Sequence, residues 1–199
     1  MKNVLAKYLG SKPAPGGLAL VQGFINTAEL EHGTDELSTP AGLRGWLTGV
    51  GLLERSAPVS TTDVGQATAV REALRRLTLV NSGEPQDPNA LETLNRAARS
   101  AQLAMCFGSE GTAKLESRAP GVDGALGRII AAVHDAMAEG SWARLKACPA
   151  DNCLWAFYDE TKNRSGTWCS MSVCGNRTKA RAYRRRHPHA EHMEKTRAV

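Results

Sequence analysis

Four cysteines near the C-terminal end constrain this chain more than any other feature of its sequence. They form two close pairs, with the spacing C-x4-C-x15-C-x4-C, at Cys148, Cys153, Cys169 and Cys174. Two such pairs separated by a loop of this length are typical of a tetrahedral thiolate site, whose usual occupant is Zn²⁺. A site of four thiolates is structural, because it leaves no open position for a substrate. Scattered buried thiols, a redox switch and an iron site are the alternatives at these positions.

The interpretation of the cysteine pairs depends on the compartment of the protein. The first residues include lysines but no uninterrupted apolar run of the kind found in secretory signals. No stretch of the chain approaches the ~18 consecutive apolar residues of a membrane span. We therefore expect a cytoplasmic protein that does not enter a membrane. In that reducing compartment, paired cysteines are expected to bind a metal rather than to form disulfides.

The positive charge of the chain is confined to the region of the cysteines. The whole sequence has 25 Lys+Arg and 20 Asp+Glu, which gives a formal net charge of +5. Residues 1–147 hold 15 basic and 15 acidic residues, whereas residues 148–199 hold 10 basic and 5 acidic residues. A basic patch on one module predicts an anionic partner, and nucleic acid is the first candidate. A solvated basic tail that binds nothing specific is the alternative.

A basic helix is predicted directly after the last cysteine, from about residue 175 to residue 187. On a helical wheel, one face holds Asn176, Ala180, Tyr183 and His187, and we expect this face to pack on the metal module. The residues that we assign to nucleic-acid binding lie beside it: Arg177, Lys179, Arg181, Arg184, Arg185 and Arg186. Arginine in such a cluster suits contacts with phosphate and guanine.

The loop between the cysteine pairs supplies the apolar residues of the small module. It contains four aromatic residues: Trp155, Phe157, Tyr158 and Trp168. Residues 162–166 have the composition of a turn, which predicts a hairpin between the two pairs. Because about 40 residues cannot bury a large core, we expect the metal to contribute much of the module's stability, on the order of 10 kcal/mol.

Residues 1–146 are predicted to form a mainly helical domain with one β-hairpin. After a flexible start, apolar residues recur at helical spacing in five segments; four begin near residues 18, 40, 61 and 87, and the last ends at residue 140. Residues 103–107 and 113–118 alternate around a Gly-containing turn and predict the hairpin. Residues 141–146 are predicted as a short turn of helix. The expected fold class is mainly α, of the α+β type, followed by the four-cysteine module.

Three residues of this domain are candidates for a small-molecule pocket. Asn26 and Thr27 end the first apolar segment, and Trp46 lies on the next one. The alternative is that these residues cap a helix and pack in the core. We do not expect an enzyme, because the sequence offers no Gly-rich phosphate loop, nucleophile elbow or paired-carboxylate arrangement.

Residues 148–186 resemble the CGNR zinc finger. The tetrapeptide that gives this finger its name stands here as Cys174-Gly175-Asn176-Arg177. Further matching elements are residues 155–159, residues 162–163 and residues 168–171. Upstream, the chain resembles the ABATE domain that is paired with this finger, in residues 18–20, 24–27, 38–43, 46–47 and 142–146. Together the two resemblances cover nearly the whole chain.

The resemblance implies a small bacterial-type transcription regulator. It assigns residues 1–146 to a ligand-sensing domain and residues 147–190 to a zinc-dependent DNA-binding finger, which leaves residues 191–199 as a flexible tail. The partners that we expect are DNA, a small-molecule effector or a protein, and a second copy in a homodimer. The alternative function is that of an adaptor, in which the zinc module is a rigid scaffold for binding protein or RNA.

Overall fold

Seven α-helices and three two-stranded antiparallel hairpins make up the described part of the chain. The computed structural model describes residues 2–109 and 111–187, of which residues 2 and 3 are described by their backbone alone. The helices are α1 (Lys2–Leu9), α2 (Leu18–Ile25), α3 (Pro40–Gly49), α4 (Thr61–Val80), α5 (Pro88–Ser100), α6 (Gly121–Ala138) and α7 (Asn176–Arg186). The strands are β1 (Ala28–Glu29), β2 (Thr34–Asp35), β3 (Leu103–Phe107), β4 (Ala113–Ser117), β5 (Leu145–Ala147) and β6 (Ala156–Tyr158). The predicted fold class, mainly α with minor β structure, is confirmed.

One hydrophobic core lies among the first six helices, with α2 at its centre. Six of the eight residues of α2 are buried, and the helix contacts α1, α4, α6 and β6. Phe24 of α2, Leu74 of α4 and Leu126 of α6 are each at most 1 % exposed. Because α2 also touches a strand of the cysteine region, the core of the N-terminal domain reaches the finger directly.

Helices α3, α4 and α5 begin close to the predicted residues 40, 61 and 87, and each start has a side-chain cap. The Thr39 hydroxyl accepts a hydrogen bond from Gly42 N at 3.1 Å at the start of α3. Before α4, Ser60 and Asp63 bond reciprocally to each other's backbone N–H groups, which forms a capping box. The Asp87 carboxylate accepts from the first N–H groups of α5. The predicted hairpin is also present, as β3 and β4.

The predicted flexible start is wrong, because residues 2–9 form the helix α1. Its Leu5 and Tyr8 are 7 % and 5 % exposed and belong to the main core. Gly23 of α2 permits this close packing, since a Cβ at that position would lie 2.6 Å from Leu5 Cδ2. Short helices of this kind depend on tertiary contacts rather than on intrinsic propensity, so the local pattern was a poor guide.

The hairpin predicted between the cysteine pairs is also wrong. Strand β6 pairs with β5, which precedes the first cysteine, in the register Leu145 to Tyr158 and Ala147 to Ala156. A turn of helix was predicted for residues 141–146. The structure has a 3₁₀ turn over Trp142–Arg144, and the chain then continues as β5. An alternating pattern identifies a strand but does not identify its partner.

The expected domain boundary between residues 146 and 147 falls within β5, so it would divide this strand between the two domains. Residues 188–190 of the predicted finger and the predicted flexible tail, residues 191–199, lie outside the described residues. Among the helices that are described, none combines the length and the hydropathy that crossing a membrane requires.

Candidate metal centre and nucleic-acid interface

The structure brings all four predicted cysteine ligands together. Their Sγ atoms lie within 4.8 Å of one another, and the Sγ–Sγ distances from Cys169 to Cys153 and to Cys174 are both 3.6 Å. Four thiolates at ~2.3 Å from a tetrahedral zinc are about 3.8 Å apart, whereas the sulfurs of a disulfide are separated by ~2.05 Å. All four thiols are free. The donor set therefore fits a metal ion of the zinc type.

The first pair of ligands is placed by the turn that joins β5 to β6. Cys148 N donates to Trp155 O at 3.0 Å, which extends the pairing of the two strands by one bond. Cys153 N donates to Ala150 O at 2.8 Å and closes the turn. Leu154 then leaves it with a φ of 47°, in the left-handed region. This backbone path points both thiols toward the same side of the hairpin.

The second pair is placed by a tight turn that leads into α7. Residues Met171–Gly175 form a π-helical turn, and Gly175 N donates to Ser170 O at 3.1 Å. The Ser170 hydroxyl accepts from Val173 N at 3.3 Å and caps the turn. Cys174 is the fourth residue of the turn and is 2 % exposed. The last ligand and the start of α7 are therefore held by the same few hydrogen bonds.

The thiols influence one another because they share a small volume. A hydrogen bond from Cys153, aided by one from Cys169, lowers the pKa of Cys148. The pKa of Cys153 is raised, chiefly by its hydrogen bond with Cys148, and the pKa of Cys169 is raised for the same reason. The pKa shifts of the three thiols are therefore opposed, because each hydrogen bond favours the thiolate of one partner over that of the other. A divalent cation bound by the cluster would offset the repulsion between neighbouring thiolates and stabilise all four groups in the thiolate form.

A small apolar cluster surrounds the cysteines. Phe157 is 1 % exposed at its centre, and Trp155 and Trp168 pack against it half-buried. Tyr158, the fourth aromatic of the loop, packs instead on the main core. Three of the four aromatics therefore serve the finger as predicted, and the fourth connects it to the N-terminal domain.

A buried ion pair organises the long loop between the cysteine pairs. Lys146 Nζ donates to Asp159 Oδ2 at 2.8 Å, with the two side chains 8 % and 1 % exposed. Asp159 also accepts from Gly166 N at 2.8 Å and from the Thr161 hydroxyl at 2.7 Å. Burial alone would raise the pKa of Asp159, but these hydrogen bonds, led by that of Lys146, lower it below its ordinary value. A side chain at position 166 would collide with this carboxylate, since a Cβ there would lie 2.6 Å from Asp159 Oδ1.

The candidate pocket residues are used for anchoring and packing. Asn26 Nδ2 donates to Ala156 O at 2.9 Å, and Asn26 Oδ1 accepts from Ala156 N at 2.8 Å, so the amide bonds to β6 as a neighbouring strand would. The Thr27 hydroxyl donates to Phe24 O at 2.7 Å. Trp46 is 4 % exposed, with its ring centroid 5.4 Å from that of Phe24. These contacts correspond to the alternative of capping and core packing.

Other polar side chains of the N-terminal domain also hold the finger. Arg75, 2 % exposed, donates to Leu154 O at 2.8 Å and to Ile25 O at 2.7 Å. Lys12 Nζ donates to Trp168 O at 2.7 Å. The sequence gives no signal for these bonds, because each joins residues far apart in the chain through a backbone carbonyl.

Helix α7 projects from the metal centre into solvent. No residue of this helix, which is described over its whole length, is buried. Tyr183 is 54 % exposed and stacks on His187 with 4.4 Å between ring centroids. The prediction that Asn176, Ala180, Tyr183 and His187 pack on the metal module is therefore wrong. Helical periodicity identifies a common face but does not provide a surface for it to contact.

The basic residues assigned to nucleic-acid binding differ in their environment. Five are exposed on α7: Lys179, Arg181, Arg184, Arg185 and Arg186. The sixth, Arg177, donates to Glu31 of the β1–β2 loop at 2.6 Å, and each side chain is 31 % exposed. This hydrogen bond lowers the pKa of Glu31. The first arginine of the helix is therefore engaged by the N-terminal domain, whereas the other five basic residues face solvent.

Comparisons with known proteins match two family models to successive parts of the chain. Residues 144–187 match the model of the CGNR zinc finger, which covers the metal centre and α7. A comparison with curated proteins found no match. Residues 18–140, more than half of the chain, match the model described as "ABATE: Putative stress-induced transcription regulator". The chain therefore belongs to the ABATE family, and it combines the domain of that family with a C-terminal CGNR zinc finger.

Proposed function

We propose that this protein is a zinc-dependent, DNA-binding transcription regulator in the cytoplasm, without catalytic activity. The observation that supports this best is the exposed helix α7, which carries five exposed basic side chains directly after the closed thiolate site. Its sequence, NRTKARAYRRR, contains no acidic residue. An α-helix fits into the major groove of duplex DNA, where arginine can bond to both guanine and phosphate.

Two parts of the finger would have separate roles in this proposed function, one in binding the metal and one in contacting DNA. Cys148, Cys153, Cys169 and Cys174 would hold Zn²⁺, which when bound supplies charge neutralisation and cross-links the two loops. Because the turn of the second pair runs directly into α7, this cross-link fixes the direction of the helix. The arginines then contribute the contacts to DNA, and phosphate contacts of this kind dominate affinity.

A mobility-shift assay with the zinc-loaded full-length protein tests the proposal. We expect the double variant Arg181→Ala/Arg185→Ala to lose the retarded band of duplex DNA, because it removes two exposed cations from α7. The matched control is Arg96→Ala/Arg99→Ala, which removes the same charge from exposed positions on α5. Equal binding by the two double variants would show that α7 is not the binding element.

We further propose that residues 1–146 sense an effector or a partner. This rests on the direct bonds from the domain to the finger, in particular those from Asn26 and Arg75 to the backbone at Ala156 and Leu154. A movement of α2 or α4 would act on β6 without an intervening linker. Hydrogen exchange at residues 154–158 in the presence and absence of an effector would measure such a movement.

A second candidate, an adaptor that binds RNA, is favoured by the exposed ring of Tyr183. A tyrosine that is 54 % exposed on a basic helix can stack on an unpaired base. If unlabelled single-stranded RNA displaces labelled duplex DNA better than the duplex itself, and Tyr183→Ala removes this preference, the adaptor function is supported over DNA regulation. A protein partner that is captured independently of nuclease treatment would support the protein-binding form of the adaptor.

A further inference from the structure

An open cavity of about 580 Å³ lies between α1, α3 and the loop that follows α3. It lies on the side of α3 opposite the core, in which Leu43, Trp46 and Leu47 are buried. Its volume is within the range of ~300–1,000 Å³ that small-molecule sites occupy. The residues that line it are Val4, Ala41, Arg44, Gly45, Thr48, Gly49 and Arg55.

The charge of this cavity is positive and uncompensated. Arg44 and Arg55 line it, and the lining residues include no carboxylate. Within the described ranges, neither guanidinium belongs to an ion pair. The buried arginines of α4 behave differently, because Arg71 pairs with Asp35 at 2.6 Å and Arg75 with Glu72 at 2.9 Å. The two cations of the cavity are therefore available to an anion from solution.

Two polar atoms in the wall of the cavity are buried without a hydrogen-bond partner in the described chain. They are Nε of Arg44 and Oγ1 of Thr48. The two residues are four apart in α3 and therefore lie one above the other on the same face of the helix. Buried polar groups in folded proteins nearly always have a partner. Because both atoms are inaccessible to solvent, an oxyanion in the cavity would accept from them only after a small movement of the Arg44 and Thr48 side chains, and this movement would complete their bonding.

The loop that carries Arg55 is fixed by the protein. Leu52 N donates to Leu47 O at 2.8 Å, and Ala57 N donates to Glu54 O at 3.1 Å. The Arg128 guanidinium donates to Leu52 O from helix α6. The backbone on which Arg55 stands is thus positioned in advance, which lowers the entropic cost of binding a ligand.

We propose that this cavity binds a small organic anion, a carboxylate or phosphate group on a compact apolar body. The two arginines bind the oxyanion, and the remaining surface is formed by the Val4 and Ala41 side chains and by glycine backbone. Such a site is separate from the zinc finger and from the predicted pocket at Asn26, Thr27 and Trp46. Binding of the anion does not depend on DNA binding by α7, so the two proposals can fail independently.

Titration calorimetry of the zinc-loaded full-length protein with benzoate and with phenyl phosphate tests this proposal. We expect at least one of these anions to bind, and neutral benzamide to bind at least about tenfold more weakly, since it lacks the charge-assisted hydrogen bonds. Arg44→Gln should weaken anion binding by about tenfold or more for the same reason. Arg96→Gln, at an exposed position on α5, should leave it unchanged.

A second variant fills the cavity instead of removing its charge. A Cβ at Gly45 meets no atom within 4 Å, so Gly45→Leu should fold, place its side chain in the cavity and abolish binding. Gly65→Leu is the matched control, because Gly65 is also an exposed helical glycine with open space around its Cβ. The proposal is overturned if neither anion binds, if benzamide binds as tightly as the anions, or if Arg44→Gln and Gly45→Leu bind like their controls.

Discussion

The carboxylate of Asp159 shows how single residues of the finger depend on one another. It is 1 % exposed and accepts hydrogen bonds from Lys146, Thr161 and Gly166. Because its pKa is lowered in the folded protein, ionised Asp159 stabilises the fold above its unfolded pKa of ~3.9. This stabilisation is lost as the pH falls from that value through the lower folded pKa.

We predict that Asp159→Asn lowers the free energy of unfolding at neutral pH by about 3–5 kcal/mol, because it leaves the Lys146 ammonium buried without its partner. Denaturant titration of the zinc-loaded protein measures this loss, and the exposed Asp151→Asn serves as control. The difference between wild type and Asp159→Asn should shrink as the pH falls below ~4. A loss that is equal in the two variants, or that does not depend on pH in this range, would contradict the assigned role.

At this scale the sequence predicted residue types better than residue roles. The four cysteines were recognisable because metal sites repeat a fixed spacing. Asn26 stood out as a polar residue next to an apolar segment, but its role was open. Its two bonds to Ala156 join positions 130 residues apart, and local sequence contains no information about such a contact.

Helix α7 is the element whose surroundings matter most for the proposed function. Its first arginine is held by Glu31 at 2.6 Å, while the others are exposed. This pair keeps Arg177 from phosphate and places a carboxylate beside the start of the helix. The β1–β2 loop would therefore oppose the proposed DNA binding at one end of α7.

We predict that Glu31→Gln raises the affinity for duplex DNA a few-fold and steepens its salt dependence by about one unit of slope, since one more cation can reach a phosphate. Fluorescence anisotropy with a labelled duplex measures both quantities. Glu29→Gln removes the same charge from the end of β1, two residues before Glu31, but Glu29 pairs with His32. If both variants gain affinity equally, the effect is one of net charge and the Arg177 contact is not responsible.

Elements were predicted well where the pattern was local. The starts of α3, α4 and α5 and the β3–β4 hairpin were predicted correctly, because each depends on neighbouring residues. The predictions of a hairpin between the cysteine pairs and of a buried face at Tyr183 were wrong. Both depend on which surface is nearby in space. Helix α1 was missed for the same reason, since it is held by Gly23 and the main core.

The whole molecule combines the N-terminal domain and the finger through a shared hairpin. Leu145 of β5 and Ala156 of β6 belong to the main core, whereas Cys148 and Cys153, in the turn of the same hairpin, belong to the small cluster around the metal. The charge distribution in the sequence identified the finger as the basic module, and the binding of an anionic partner there stays a prediction. The charge distribution did not predict this junction, in which the side chains of Asn26, Arg75 and Lys12 donate hydrogen bonds to backbone carbonyls of the finger.

We predict that the zinc-loaded protein binds about one Zn²⁺ per chain and unfolds in a single thermal transition, because the hairpin belongs to both clusters. Cys169→Ser should lose the metal and lower the transition temperature, as shown by elemental analysis and calorimetry. Cys106→Ser is the control, since this partly buried thiol on β3 lies outside the cluster. Two separate transitions, or loss of zinc from the control, would contradict this coupling.

The salt dependence of duplex DNA binding tests the central claim most directly. If α7 places about five cations on phosphates, the plot of log affinity against log salt concentration should have a slope near −4 to −5. At salt concentrations low enough for binding to be measured, Arg181→Ala/Arg185→Ala should reduce this slope by about two units, whereas Arg96→Ala/Arg99→Ala should not change it. Absence of duplex binding at low salt, or a slope that is the same in all three proteins, would contradict the account.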